Sequence, residues 1–516
     1  MPTQISHPSV VINETLAVLP GNPGVPGLAI ATFAANYTQG PTVPTLITSW
    51  NQYLQLYGSF TQAAGNLLHF AVYQFFNNGG QQCYVLSIPN TDAVASQLVL
   101  QDINSPADNV ITVKANAPGS WGNSIFVAIV SSGTTGRFNF QVYFGGTQPT
   151  NLVENFVDLS INPVDGRNVF SVVNSSTNGS NFVTLTNTLP AVYSPGVNDP
   201  AYIGPTVLTG GSNGSVAPNL GATIPPLLDQ LQGIMLNVNV PGLTNSATLN
   251  TLISWAAGRG DTMIVVDGPA PSFPETSAQV VQNYVNIVTG GNALLSSSYA
   301  SLYAPWISIT DPSSTVPGAQ KWVPPGGAVL GIWARTDAAL GPWQTPAGIL
   351  FGRINAQNLE VQFTPTDLDN LNLNNINAIR NVAGFYPALM GGRTLAQGYP
   401  SKFLAIRREL IQIEHDFTQL LQFALFEPNN QALWDQISAV LDNYLNDIMQ
   451  QGVLAGTTQP TSYTVVCDSS NNPPASANAG IVNATIAVAL NAPAEFIVLN
   501  ISQLQSTGVT TITTTP

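Results

Sequence analysis

The chain has 516 residues, enough for several domains and a substantial core, and only 7% of them are charged, against about 25% in an ordinary soluble domain. A net charge of −14 argues against a general nucleic-acid binder, which needs clustered Lys and Arg to displace phosphate counterions. The polar surface falls to Asn, Gln, Ser and Thr, a composition that suits an assembled particle component and is shared by secreted β-rich proteins and adhesins. The start, MPTQISHPSV, lacks the basic and apolar regions of a secretory signal, and no run of apolar residues is long enough to span a membrane, so assembly in the cytoplasm without membrane insertion is the expectation.

Residues 1 to about 27 read as an arm, with strand-like SVVINE near the start and LPGNPGVPG as punctuation. LAIATFAA then predicts a buried strand, TLITSWNQYLQLYG and GNLLHFAVYQFFNNGG two helices, and CYVLSI a second strand, an α/β alternation. From about 92 to 205 the pattern changes to short alternating segments (ITVKA, IFVAIV, FNFQVYF, FVTLT) between turn residues, which reads as an inserted β-rich module. The α/β pattern returns with helical IPPLLDQLQG and ATLNTLISWAAGRG, buried strand TMIVVD and helical SAQVVQNYVNIV. Two long helices follow Lys402. The first places Phe403, Ile406, Leu410, Ile413, Phe417 and Leu420 on an apolar stripe, with Arg407 and Arg408 off it. The second places Ile437, Val440, Leu441, Tyr444, Leu445 and Ile448 on one face, with Asn429 and Asn430 able to cap its start and Gly452 to end it. Its other face offers only Asp, Asn and Gln, so it carries no reaction centre. Strand-like TSYTVVCD, GIVNATIAVAL and EFIVLNIS precede a β-prone tail.

Candidate chemistry is sparse. Gly210-Gly211-Ser212-Asn213-Gly214 matches G-x-S-x-G and would make Ser212 an acyl-transfer nucleophile, but SVAPN and not a helix follows, and the one downstream histidine, His415, sits in a helix between Glu414 and Asp416. His69 in LLHFAVY has no His or Cys at ligand spacing and reads as a hydrogen-bonded core-edge residue. Asp261 and Asp267 flank TMIVVD beside Gly260 and Gly268, where turn roles account for them. Lys114, Lys321 and Lys402 never follow a glycine-rich loop, so no P-loop is present. Cys83 and Cys467, far apart in apolar strand contexts, read as buried free thiols. No catalytic, cofactor or metal residues are assigned. Arg380, Arg393, Lys402, Arg407 and Arg408 gather five of the twelve basic residues, either as a solvated helix face with ordinary ion pairs or as a docking surface for an acidic partner.

FEPNNQALW followed by QQGVLAG resembles the C-terminal region of contractile-tail sheath proteins from phages, tailocins and extracellular contractile injection systems. HPSVVINE, PTLITSWNQYLQLYG, FFNNGGQQCYVLSI, TGGSNG, MIVVDGP, YASLYAPWISITDP, VPPGGAVLGIWARTDAALGPWQTPAG, NNINAIR, GGRTL, KFLAIRRELIQIEHDF, VVCDSSNNPP and APAEFIVLNI fit the family's order. The resemblance covers nearly the whole chain except the β-rich insert. Ser9 stands where the family commonly has Gly, and Asn and Gln replace many charged residues.

The resemblance implies a multi-domain α+β sheath fold with a mixed α/β core, a β-rich inserted domain and extended terminal arms. Its expected divisions are an N-terminal arm at 1–27, a first core part at 28–91, an outer insert at 92–205, a second core part at 206–375, an inner assembly domain at 376–500 and a C-terminal arm at 501–516. It implies a structural, non-enzymatic subunit without cofactors that forms stacked hexameric rings around an inner tube protein, between baseplate and cap or terminator proteins. Arm exchange between copies would use Val10, Val11 and Ile12, and Lys402, Arg407 and Arg408 would dock an acidic tube. A secreted hydrolase using Ser212, or a β-rich adhesin or capsid-like protein, are the alternatives.

Overall fold

The computed structural model describes residues 28–60, 66–104, 108–175, 178–188, 198–382 and 386–495, together with the backbone of 501–505 and 508–512. The described chain forms two compact units, one built from 28–338 and 347–396, the other from 339–346 and the residues after 396.

The first unit is organised by an eight-stranded sheet, in the spatial order Pro387–Leu389, Ile376–Asn381, Ala300–Ala304, Thr262–Asp267, Leu236–Asn239, Ile30–Asn36, Cys83–Ile88 and Thr45–Ile47. The six inner strands run parallel and the two edge strands antiparallel. Parallel strands need both faces covered, and these are mostly buried, with polar Asn237, Asn239, Ser301 and Asn377 buried among the apolar residues. Side-chain alternation divides the work. Ala34 and Leu302 join the core with the helices Leu220–Leu228, Ser246–Arg259, Ser277–Thr289 and Pro365–Leu373, whereas Phe33 meets Phe75 of the Leu67–Asn77 helix and Tyr303 meets Trp333 of the Gly326–Leu340 helix. Those last two helices approach through glycine, since a Cβ on Gly327 would lie 2.2 Å from the Ala71 carbonyl oxygen and one on Gly331 2.5 Å from that of Phe75.

Between the Cys83–Ile88 strand and the Leu220–Leu228 helix, a four-stranded and a three-stranded antiparallel sheet enclose one apolar core that includes Val113, Leu185, Val127, Phe140 and Leu159. Its two connecting chains run paired. Val94 pairs with Ser212 and Gln97 with Thr209, and the Asp92 carboxylate accepts from the Ser215 and Val216 amides at 2.9 Å.

In the second unit, Leu404–Leu420 and Gln431–Gln450 are the long helices. Asn430 caps the second, its side chain accepting from the Leu433 amide. Ile413, Phe417, Ile437, Leu441, Leu445 and Ile448 pack with Tyr463 and Cys467 in one cluster. A two-stranded antiparallel sheet, Tyr463–Val466 with Thr485–Val488, lies beside it. Ile501–Gln505 and Gly508–Ile512 form an antiparallel hairpin.

Candidate assembly surfaces

The residues with the strongest local chemistry are structural. Asp267 ends its strand 1% exposed and accepts from Asn239 Nδ2 at 3.0 Å, the Gly242 amide at 3.1 Å and the Gly326 amide at 2.8 Å, so it is a buried hub and not the turn residue read from sequence. Burial pushes its carboxyl up to about 6. His69 is buried with Nδ1 against the Tyr53 hydroxyl, and burial holds its imidazole down to about 4. Cys83 and Cys467 are free and buried, and burial raises both thiols.

The G-x-S-x-G stretch belongs to the neck of the inserted module. Ser212 lies in extended pairing with Val94, not in a strand-to-helix elbow. Packing explains its glycines: a Cβ on Gly211 would lie 2.5 Å from the Gly119 carbonyl oxygen, and Gly214 has φ +66° with the Asp92 carboxylate beside it. Among the described residues no group of His, Cys, Asp and Glu is arranged to hold a metal, and no helix is long and apolar enough to cross a membrane.

The basic cluster does not form one exposed surface. Arg407 and Arg408 are 2% and 4% exposed, and Arg393 is buried as well. Arg407 Nη2 reaches both Glu414 oxygens at 3.3 Å, and Arg393 donates to the Asn372 carbonyl at 2.8 Å. Of the docking trio, only Lys402 keeps a partly exposed side chain, its ammonium 5.0 Å from the Phe403 ring centroid. The expected exposed positions of Arg407 and Arg408 are therefore corrected. The helix buries Leu404, Ala405, Arg407, Arg408, Glu409 and Gln412 along with Ile406, Ile413 and Phe417, whereas Leu420 of the expected stripe is 37% exposed, so "off the stripe" does not mean solvent-facing here. Val10, Val11 and Ile12 lie outside the described residues.

The geometry offers two other surfaces. The strands Tyr463–Val466 and Thr485–Val488 pair only with each other among the described strands, which leaves an edge of main-chain groups on each side. Arg335 and Arg353 share a polar cleft with Tyr386. Sequence reading passed over both arginines because neither belongs to a run of charge. The signal was their rarity, two of twelve basic residues within eighteen positions of a glycine-rich, apolar stretch.

A parallel-cored α/β unit interrupted by a β-sandwich, followed by a two-helix unit with a minimal sheet, is the fold of contractile-tail sheath proteins, and the comparisons agree. The chain superposes on the sheath of an extracellular contractile injection system, the PVC sheath complex in its contracted state, with TM-score 0.58 at 19% identity, covering 98% of this chain and 100% of that one. The contracted helical sheath of the anti-feeding prophage gives 0.55 at 19% identity over 97% and 100%. The sheath tail protein of Desulfitobacterium hafniense gives 0.53 at 12% identity over 89% and 93%. In sequence the chain is related to the tail sheath protein of Vibrio phage KVP40, 31% identical over 156 residues that make up 30% of this chain and 22% of the relative. It is likewise related to that of Enterobacteria phage T4, 28% identical over 243 residues, 45% of this chain and 35% of the relative. The matched stretches thus span about a fifth to a third of those relatives' length. No protein-family model matches.

Proposed function

We propose that this chain is the structural sheath subunit of a contractile tail or contractile injection system, stacking as hexameric rings around an inner tube and contracting to drive that tube through a target envelope. The observation that carries the reading is the end-to-end agreement of fold with sheath subunits, which takes in the inserted module and the C-terminal unit as well as the α/β core. The two-stranded sheet supports the mode of assembly. Two strands alone are marginally stable in water, and Tyr463–Val466 with Thr485–Val488, paired only with each other among the described strands, would offer an edge on each side to strands from other copies. Val10, Val11 and Ile12 have the strand propensity to fill one. Main-chain pairing of that kind tolerates rotation of neighbouring copies, so rings stay tied while the sheath shortens and widens. The small free-energy difference per subunit is then multiplied along the whole stack. The inserted module, joined through its paired neck, projects outward. The partners are further copies of the chain, the inner tube protein, the baseplate and a cap or terminator, with Lys402 the remaining member of the trio for contact with an acidic tube.

Negative-stain microscopy of the purified full-length chain, alone and with its tube protein, tests the reading. Ringed tubes or rods are expected, and dispersed particles under all conditions would refute it. Deleting residues 1–20 should leave a folded subunit that builds no long sheath. Full-length rods from the deletion would remove the arm-exchange part. Protease should reach the inserted module on intact particles, and complete protection in both sheath states would count against its outward placement.

A further inference from the structure

Arg335 lies in the last turns of the Gly326–Leu340 helix, and Arg353 follows the short Gly348–Phe351 helix. The Arg335 guanidinium is fixed by main-chain carbonyls, donating to Asn78 at 3.2 Å, Phe351 at 2.8 Å and Arg353 at 3.0 Å. The Arg353 guanidinium is exposed and lies 3.7 Å from the ring centroid of Tyr386, itself 60% exposed. With Asn77, Asn355 and Gln357 these side chains line an open cleft of about 630 Å³. Among the described residues neither guanidinium meets a carboxylate. The two positive charges face only each other and amide groups, and burial followed by the Arg353 charge holds Arg335 below the ordinary arginine range. A carboxylate placed between them would gain charge-assisted hydrogen bonds and relieve that repulsion.

The chain carries a complementary projection. Phe426, between the two long helices of the second unit, is 88% exposed and has φ +68°. A bulky residue in the left-handed region costs about 1–2 kcal/mol, and this one recovers almost no burial within its own chain. Glu427 beside it is exposed as well. The turn thus holds an aromatic ring and a carboxylate outward, side by side, while the cleft offers an exposed aromatic ring beside two guanidiniums.

We propose that the Arg335–Arg353–Tyr386 cleft is a socket for a second copy of this chain and receives that copy's Phe426–Glu427 turn, the carboxylate on the guanidiniums and the phenyl ring against Tyr386. Socket and projection are different surfaces, so the contact is heterologous and propagates into rings or helical stacks without closing as a pair. In this respect it rests on the sheath reading. The acidic balance of the chain, 26 Asp and Glu against 12 Lys and Arg, makes an unneutralised cationic socket scarce and therefore selective for register between copies.

Sedimentation velocity on the full-length chain tests the contact. Arg353→Glu and Glu427→Arg should each raise the concentration needed for self-association about tenfold or more, with circular dichroism unchanged. The double variant, or an equal mixture of the two singles, should restore it, because the charges then match again. Wild-type self-association in either single variant would overturn the proposal. So would failure of both the double variant and the mixture to recover while each single remains folded. An Arg353→Glu chain that self-associates normally but no longer captures the tube protein would also overturn it, by giving the socket to the tube. Wild-type rods test the sheath reading separately. Oligomers that obey the charge swap without forming rods would sink that reading and leave the contact standing, whereas a wild type that stays monomeric would overturn the contact itself.

Discussion

Replacing Asp267 with Asn separates two opposing effects at the buried hub of the first unit. Asp267→Asn keeps the shape but exchanges one acceptor oxygen for an N–H₂ group. Because one oxygen serves the Gly326 amide and the other serves Asn239 and Gly242, one buried donor then faces a donor. An orphaned buried donor costs about 1–3 kcal/mol. Against this, the carboxyl titrates at about 6 in the folded chain because burial penalises its charge. An acid with a raised folded value holds its proton more tightly folded than unfolded. Its contribution is therefore fully present below about pH 4 and is lost as pH rises through 6, an amount of about 3 kcal/mol for a shift of about two units. The wild type loses that amount between the two pH values and the variant does not. Urea unfolding followed by circular dichroism should show Asp267→Asn less stable by about 1–3 kcal/mol at pH 4.5, with the gap closing or reversing at pH 7. A gap that widens with pH would show that the three donors outweigh burial and keep the carboxylate ionised, and the reasoning would fail.

The His69 imidazole, held near 4, has the opposite sign: it is buried neutral, so stability falls as pH drops from about 6.5 through 4, by about 3 kcal/mol, and unfolding of His69→Phe should lack that slope. Gly327→Ala should destabilise the first unit by about 1–3 kcal/mol in the same assay, since its methyl would meet the Ala71 carbonyl oxygen; a neutral result would mean the helices separate without cost. Phe426→Gly should leave the isolated chain as stable as before or up to about 1 kcal/mol more stable, because relief of the left-handed backbone exceeds the entropy of glycine. A loss of the about 3–5 kcal/mol typical of a packed Phe would show that the ring is buried after all.

Periodicity was most informative where one physical term dominates. The Gln431–Gln450 helix has a single apolar face, and its cap at Asn430 and much of its buried set follow directly from spacing. Three of the six inner strands, Ile30–Asn36, Cys83–Ile88 and Thr262–Asp267, were legible as apolar runs, whereas Leu236–Asn239, Ala300–Ala304 and Ile376–Asn381 were not, because Asn237, Asn239, Ser301 and Asn377 are polar and yet buried. The order of the eight strands was not, since it depends on which crossovers bring distant segments together, and no local pattern encodes that. The Leu404–Leu420 helix shows the limit most clearly. Its stripe was read correctly at Ile406, Ile413 and Phe417, but Arg407, Arg408 and Glu409 are also buried, with burial alone holding the Glu409 carboxyl well above its usual range. Charge in a sequence signals exposure because desolvation is costly. Where packing of the helix imposes burial on a charged residue, as at Glu409, the signal inverts without leaving a local trace.

The scarcity of charge connects these sites to assembly. Several of the few cations are consumed inside the units as staples for main-chain oxygens: Arg259 donates to Leu228, Leu231 and Ile234, Arg167 to Val157 and Asp158, and Arg393 to Asn372. Arg259 and Arg393 satisfy carbonyls at helix ends and loops, and Arg167 those of Val157 and Asp158 in the Leu152–Leu159 strand. The chain is poor in cations, so few ion pairs between copies would be available. On the proposed sheath reading, copies would hold one another through interactions that do not depend on abundant opposite charges. The proposed main-chain pairing along the edges of the two-stranded sheet is one, and the proposed cationic socket, which meets no carboxylate among the described residues, is another. Both would be short-range and directional, and so would fix register between copies.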